Sequence, residues 1–209
     1  MNSRCAYLYA GLLASLFIRS IAYAAPTDPD MTLRDAVLSG LTHNTQQHFL
    51  FVQEKKLAIL EKPLITEGEL LLDNSGNKQQ TVTWDIQKPY VLRYVLTADS
   101  ICESDAQGER TVLMSQNPIA AALTQAMTAT FSGQWKEDAL SKNSETLANI
   151  TATGTLAAWQ LHITPNAEVL KPLITSIDVK GADKTITAVS IAEANGDSTV
   201  IHLQPFIAQ

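Results

Sequence analysis

Four histidines, one cysteine outside the first 24 residues and a few paired carboxylates are the side chains of this 209-residue chain that could do chemistry. Metal binding needs three or four such groups brought close together. His43, His48, His162 and His202 are scattered, His43 and His48 stand five apart, a poor spacing for one helix face, and no cysteine lies near any of them. General acid–base chemistry needs two carboxyl groups in different environments. Glu67 with Glu69, and Glu103 with Asp105, alternate along extended segments and read as a solvated face rather than an acid–base pair. Nucleophilic catalysis and phosphate binding leave local motifs, and the chain has no G-x-S-x-G elbow, no glycine-rich phosphate loop and no H-E-x-x-H. No catalytic residue, metal or cofactor is therefore expected, and the chain does not read as an enzyme.

What the chain has instead is a dense apolar stretch from Phe49 to Leu96 without a recognisable catalytic group in it. Glu69 to Leu72 is a short apolar run followed by the turn cluster Asp73-Asn74-Ser75-Gly76-Asn77. From Thr81 to Ile86 the residues alternate strictly, which puts Val82, Trp84 and Ile86 on one face of a strand and Thr81, Thr83 and Asp85 on the other. After the Lys88-Pro89 break, Val91 to Thr97 is rich in β-branched and aromatic residues, with Leu92, Tyr94 and Leu96 on one face. Consecutive antiparallel strands of a half-buried sheet are predicted. An apolar surface without chemistry points to binding rather than turnover.

Two helices are expected to cover that sheet. Thr32 and Asp35 read as a capping pair, and Leu33, Val37 and Leu41 form an apolar stripe, so a helix is expected over about residues 32–45. Asn117-Pro118, a cap residue before a proline at the first helical position, opens a second helix. Ile119, Leu123, Met127 and Phe131 share one of its faces, and Gly133 ends it. Glu137 to Leu147 is a candidate third helix. The last third returns to strands at 157–164, 176–180, 185–191 and 198–203, and Asn195-Gly196-Asp197 reads as a hairpin turn. With no linker, low-complexity tract or repeat, a single mainly β (α+β) domain over residues 25–209 is expected.

The first residues bear on the compartment. Arg4 precedes an apolar run to Ile18, and Ala22-Tyr23-Ala24 is the small-x-small pattern of a signal peptidase site, so residues 1–24 are expected to be a signal peptide cleaved after Ala24. The competing reading is a membrane anchor, but Arg19 interrupts the run short of the roughly 20 residues a spanning helix needs. Cys5 lies too early to be a lipid-attachment cysteine. Cleavage would remove Arg4 and Arg19, taking the formal charge from −6 to −8 over the remaining 185 residues. So acidic a surface argues against nucleic acid or anionic headgroups as primary partners. Only Cys102 remains, so no intrachain disulfide is possible and stability must come from packing.

Several elements in fixed order carry a family resemblance. They are Gln53 in F-x-F-x-Q-E, Gly68-Glu69-Leu70 opening a strand, Trp84 followed by Lys88-Pro89, the Pro118 helix, Trp159-x-Leu161 ending at Pro165, and Gly196-Asp197 before the final strand. Their order and spacing over nearly the whole mature chain resemble the periplasmic outer-membrane lipoprotein carrier (LolA) family. The segment K-K-L-x-x-L-x-x-P-L, Lys55 to Leu64, resembles the branch found with exporters of acylated or polyene lipids in envelope-biosynthesis gene sets.

The resemblance implies an incomplete antiparallel β-barrel whose concave face is closed by two or three helices, with an apolar cavity that accepts acyl chains. It implies a soluble periplasmic carrier that takes lipid or lipoprotein cargo from an inner-membrane exporter, of ABC or RND/MMPL type, towards an outer-membrane acceptor. The candidate cavity residues are Leu70, Leu72, Val82, Trp84, Ile86, Leu92, Tyr94 and Leu96 on strands, with Ile119, Leu123 and Met127 on the lid helix. The alternative for each is plain core between helix and sheet. In the family an arginine on the strand before the tryptophan fastens the lid. Here that segment, Asn77 to Trp84, has no arginine, and Lys78 stands nearest the expected place; a solvated turn lysine is the competing reading. The departure puts the latch and lipoprotein cargo in question. A lipid sensor that binds without delivering is the alternative function, and an enzyme acting on acyl or glycan groups would need a nucleophile and base the sequence does not offer.

Overall fold

The computed structural model describes residues 29–43, 46–73, 80–135 and 148–207. Helix α1 (Pro29–Thr42) leads into β1 (Gln46–Lys56), β2 (Leu64–Asp73), β3 (Thr81–Lys88), β4 (Leu92–Leu96), β5 (Ser100–Asp105) and β6 (Gly108–Leu113). A 3-10 turn at Met114–Gln116 then precedes α2 (Pro118–Ser132). The chain finishes with β7 (Ala148–Thr155), β8 (Ala158–Pro165), β9 (Ile174–Ala182), β10 (Thr185–Glu193) and β11 (Ser198–Pro205). The lead candidate for a third helix, residues 137–147, the turn at 74–77, Lys78 and the expected signal segment lie outside the described residues.

The eleven strands of the described residues form one antiparallel sheet in the order β6-β5-β4-β3-β2-β1-β11-β10-β9-β8-β7. Every neighbouring pair but one is also consecutive in sequence. The exception joins the first strand to the last, with Phe49 opposite Pro205 and Lys56 opposite Ser198. The order has two ends, β6 and β7, that do not pair with each other, so the sheet stays open, as in an incomplete barrel.

Alternation decides which face is covered. Val82, Trp84 and Ile86 of β3, Trp159, Leu161 and Ile163 of β8, and Ile201 and Leu203 of β11 are buried and belong to one continuous core with Val37 and Leu41 of α1 and Phe131 of α2. The outer face carries several of the charges. Glu67 pairs with Lys88 at 2.8 Å, Arg93 with Asp85 at 3.1 Å, and His162 with Asp178 at 2.9 Å. His48 Nε2 lies 2.8 Å from Glu69 Oε2, and its ring stacks on Phe206 with centroids 4.1 Å apart. Two of the candidate histidines and both carboxylates of the Glu67/Glu69 pair are thus tied into strand-to-strand contacts on the exposed side.

The second helix has the ends its sequence predicts. The Asn117 side chain accepts a hydrogen bond from the Ala120 N–H at 3.0 Å, Pro118 opens the helix, and Gly133 closes it in the left-handed region at φ 68°. A Cβ on Gly133 would also stand 2.6 Å from the Leu38 carbonyl oxygen, so this glycine is what lets α1 and α2 meet. The first helix differs from expectation. It begins at Pro29 and ends at Thr42, about a turn earlier than the capping pair suggested. Proline fits the first turn because its missing N–H would have no helical acceptor there, and Asp35 is engaged instead by Arg34 at 2.8 Å.

Candidate functional site

One face of α2 and the sheet do not close completely on each other. Between them lies a cavity of about 440 Å³. The helix contributes Ile119, Leu123, Ala126, Met127, Thr130 and Phe131, spaced so that one helical stripe forms the roof. The floor comes from inward-facing residues of four strands: Trp84 on β3, Ile177 on β9, Val189 and Ile191 on β10, and Ile201 on β11. Pro172, Leu173 and Ile174, at the entry to β9, close one side. The walls are chiefly aliphatic and aromatic. Even Thr130 adds little polarity, since its hydroxyl donates to the Ala126 carbonyl at 2.7 Å.

Charge enters at one end. Lys55, near the end of β1, and Glu193, the last residue of β10, line the cavity together with Asn195 of the β10–β11 turn. Lys55 Nζ donates to Glu193 Oε1 at 2.6 Å. Next to them, the Ala58 N–H donates to Asp197 Oδ1 at 2.8 Å, which ties the β1–β2 connection to the β10–β11 turn. The K-K-L-x-x-L-x-x-P-L segment is therefore the end of β1, that connection and the first residue of β2.

At the other end three aromatic rings run from sheet to helix. Phe51 and Trp84 have centroids 5.0 Å apart, and Trp84 meets Phe131 edge-on at 6.3 Å. A second cavity of about 390 Å³ lies on another face of α2, among Met114, Pro118, Ala121, Ala122, Trp135 and Leu170. The indole N–H of Trp135 is buried without a hydrogen-bond partner among the described residues. Space on two sides of one helix leaves it less tightly held than a core helix.

The residues singled out from the sequence fall into three places. Trp84, Ile119, Leu123 and Met127 line the cavity. Leu70, Leu72, Val82, Ile86 and Leu96 are buried in the continuous core, and Leu92 and Tyr94 are half-buried against it, away from the cavity lining. Tyr94 stands opposite Glu103, and burial first, then that carboxylate, raise its phenol above the usual range. The lining residues that sequence reasoning passed over are Lys55, then Ala126, Thr130 and Phe131 of α2, and a set running from Pro172, just before β9, through β11. Their alternation was visible; what was not visible is that α2, some fifty residues earlier in the chain, lies over that half of the sheet. Among the described residues no group of three or more His, Cys, Asp or Glu side chains could hold a metal ion, and no helix is long and apolar enough to cross a membrane.

A sheet left open over an apolar cavity is the build of a lipid-binding fold, and comparison with known proteins agrees at the level of the family. The family described as outer membrane lipoprotein carrier protein LolA-like matches residues 24–204, and the chain belongs to that family. No curated protein matches the chain. Among solved structures it is similar to a DUF1329 family protein from Desulfovibrio piger, with 13% identity, TM-score 0.48, and 85% of this chain and 92% of the other covered. It is also similar to the Mycobacterium tuberculosis lipoprotein LppX, with 11% identity, TM-score 0.44 and coverage of 84% and 94%. It is similar as well to a putative outer membrane lipoprotein-sorting protein domain from Vibrio parahaemolyticus, with 9% identity, TM-score 0.42 and coverage of 86% and 93%.

Proposed function

We propose that this protein is a periplasmic carrier that shelters the acyl chains of a lipid or lipoprotein in the cavity under α2. It takes them from an inner-membrane exporter, of ABC or RND/MMPL type, towards an acceptor at the outer membrane. The observation that carries the reading is the 440 Å³ cavity, apolar along its length and charged only at one end. That volume falls within the roughly 300–1,000 Å³ of small-molecule sites. Each CH₂ taken from water contributes about 0.8 kcal/mol, so an acyl chain gains several kcal/mol from these walls without a polar contact. The family membership supports a carrier over an enzyme. Residues 1–24, read as a cleaved leader, support the periplasm.

The helix α2 serves as the lid. Cavities on two of its faces support a modest displacement when a chain enters, because the helix has room to shift without collapsing a packed core.

Native mass spectrometry of the mature protein purified from periplasm, with lipid extraction of the same sample, tests the reading. An acylated species near one-to-one stoichiometry is expected. An empty protein that also ignores added long-chain lipid would overturn it, and tight binding with no release to acceptor vesicles would assign a sensor instead of a carrier.

A further inference from the structure

The polar end of the cavity is built from distant parts of the chain. Lys55 lies opposite Thr199 of β11, and Thr199 lies opposite Ile191 of β10, so the register brings the ends of three strands together there. Glu193 Oε1 receives two donors, Lys55 Nζ at 2.6 Å and Thr199 Oγ1 at 3.3 Å. The apolar end is set by Trp84, which aligns through Leu70 with Phe49, six positions before Lys55 on β1. Six residues of strand span about 20 Å. An amphiphile lying along the cavity would therefore have its tail end at Trp84 and its head at the ion pair.

The pair also specifies a kind of head. Its side chains are 34% and 22% exposed, so each charge has lost part of its water and depends on its partner. A neutral head would leave the pair closed on itself. An anionic head would take Lys55 and leave Glu193, a like charge, beside it. A head with both an ammonium and an anionic oxygen gives each member a partner of opposite sign. Thr199 still holds Glu193 in place when Lys55 swings away.

We propose that Lys55 and Glu193 form a head-group site for a zwitterionic, amine-bearing phospholipid. Lys55 Nζ donates to a phosphate oxygen, and Glu193 accepts from the ammonium. The inference rests on the acyl-carrier reading and adds the class of cargo.

The test is titration of the delipidated full chain with three single-chain lipids of the same acyl length, followed by tryptophan emission: lysophosphatidylethanolamine, lysophosphatidylglycerol and a monoacylglycerol. The ethanolamine lipid is expected to bind about tenfold more tightly than either of the others. Lys55→Met and Glu193→Gln should each remove that preference for the ethanolamine lipid over the other two. The exchange Lys55→Glu with Glu193→Lys should recover most of it, since both charges remain. Equal affinity for all three lipids, tighter binding of the glycerol phospholipid, or an unchanged ranking in Glu193→Gln would overturn the head-group site and leave the acyl cavity standing. If none of the three binds, the carrier reading falls and the head-group site with it. The wild-type ranking decides the matter even where a variant fails to fold.

Discussion

Trp84 on β3 and Phe131 in the last turn of α2 meet edge to face, with ring centroids 6.3 Å apart and planes at 65°. Both rings are buried, and both also line the cavity, so one contact fastens helix to sheet and shapes the inner end of the ligand space. Truncating the helix partner removes a full aromatic volume from the core. Phe131→Ala is expected to lower unfolding free energy by about 3–5 kcal/mol, measured by urea denaturation, with Phe131→Leu losing clearly less.

The same contact makes Trp84 a reporter. A chain entering the cavity replaces whatever surrounds the indole with hydrocarbon, whereas Trp159 stays packed against Gly181, with its N–H donating to the Asp183 carbonyl at 3.0 Å. Saturation with a long-chain lipid is expected to shift the emission of the wild-type protein clearly more than that of Trp84→Phe, in which Trp135 and Trp159 remain, while native mass spectrometry still counts bound lipid on the variant. An emission change of equal size in both would take Trp84 out of the ligand's surroundings.

Much of this architecture was legible because it is written locally. The strict alternation around Val82, Trp84 and Ile86 gives a buried face directly. Asn117, Pro118 and Gly133 mark both ends of α2, each through a backbone requirement of its own. Strands β6 and β7 escaped for opposite reasons. The first, at the sheet's edge, is mostly exposed, so no apolar period is needed. The second, apart from Ile150, is built from Ala, Thr, Asn and Gly, whose weak hydrophobicity hides the inward-facing Ala148 and Ala152. Strand β1 was masked because only Phe49 and Phe51 are buried, while the exposed Leu50 and Val52 between and after them break the alternation. The least legible feature is the polar end of the cavity: Lys55 and Glu193 are 138 positions apart and meet only because the first strand pairs with the last.

Trp159 and Gly181 illustrate a constraint that no alternation pattern reveals. The two residues are directly paired across β8 and β9, and a Cβ on Gly181 would stand 2.2 Å from the indole ring and 2.4 Å from the Thr185 carbonyl oxygen. Glycine is required here for space, since the ring lies where a side chain would be. Backbone cannot yield as a flexible side chain would, so Gly181→Ala is expected to destabilise the protein by about 1–3 kcal/mol through overpacking. Thermal unfolding checks it. Because neither residue lines the cavity, lipid stoichiometry in the folded fraction should be unchanged.

Acid sensitivity should be traceable to Glu69 on the outer face. Its carboxylate accepts from Gln87 Nε2 at 3.0 Å and pairs with His48 Nε2 at 2.8 Å. The Gln87 hydrogen bond, then the one to His48, hold the carboxyl below the ordinary value of 4.5, against a smaller opposing effect of burial. A carboxyl depressed in the folded state gives the unfolded chain the greater affinity for protons in the acid range. The stabilisation it contributes is therefore complete above the ordinary carboxylate range and is lost as pH falls through the folded value. Glu69→Gln removes that contribution at every pH. The variant is expected to melt below the wild type at neutral pH, with the gap closing as pH falls from the ordinary carboxylate range through the lower folded value. Melting curves across that window decide it: a gap that stays constant down to the lowest pH would show that the Glu69 carboxylate is not the group responsible.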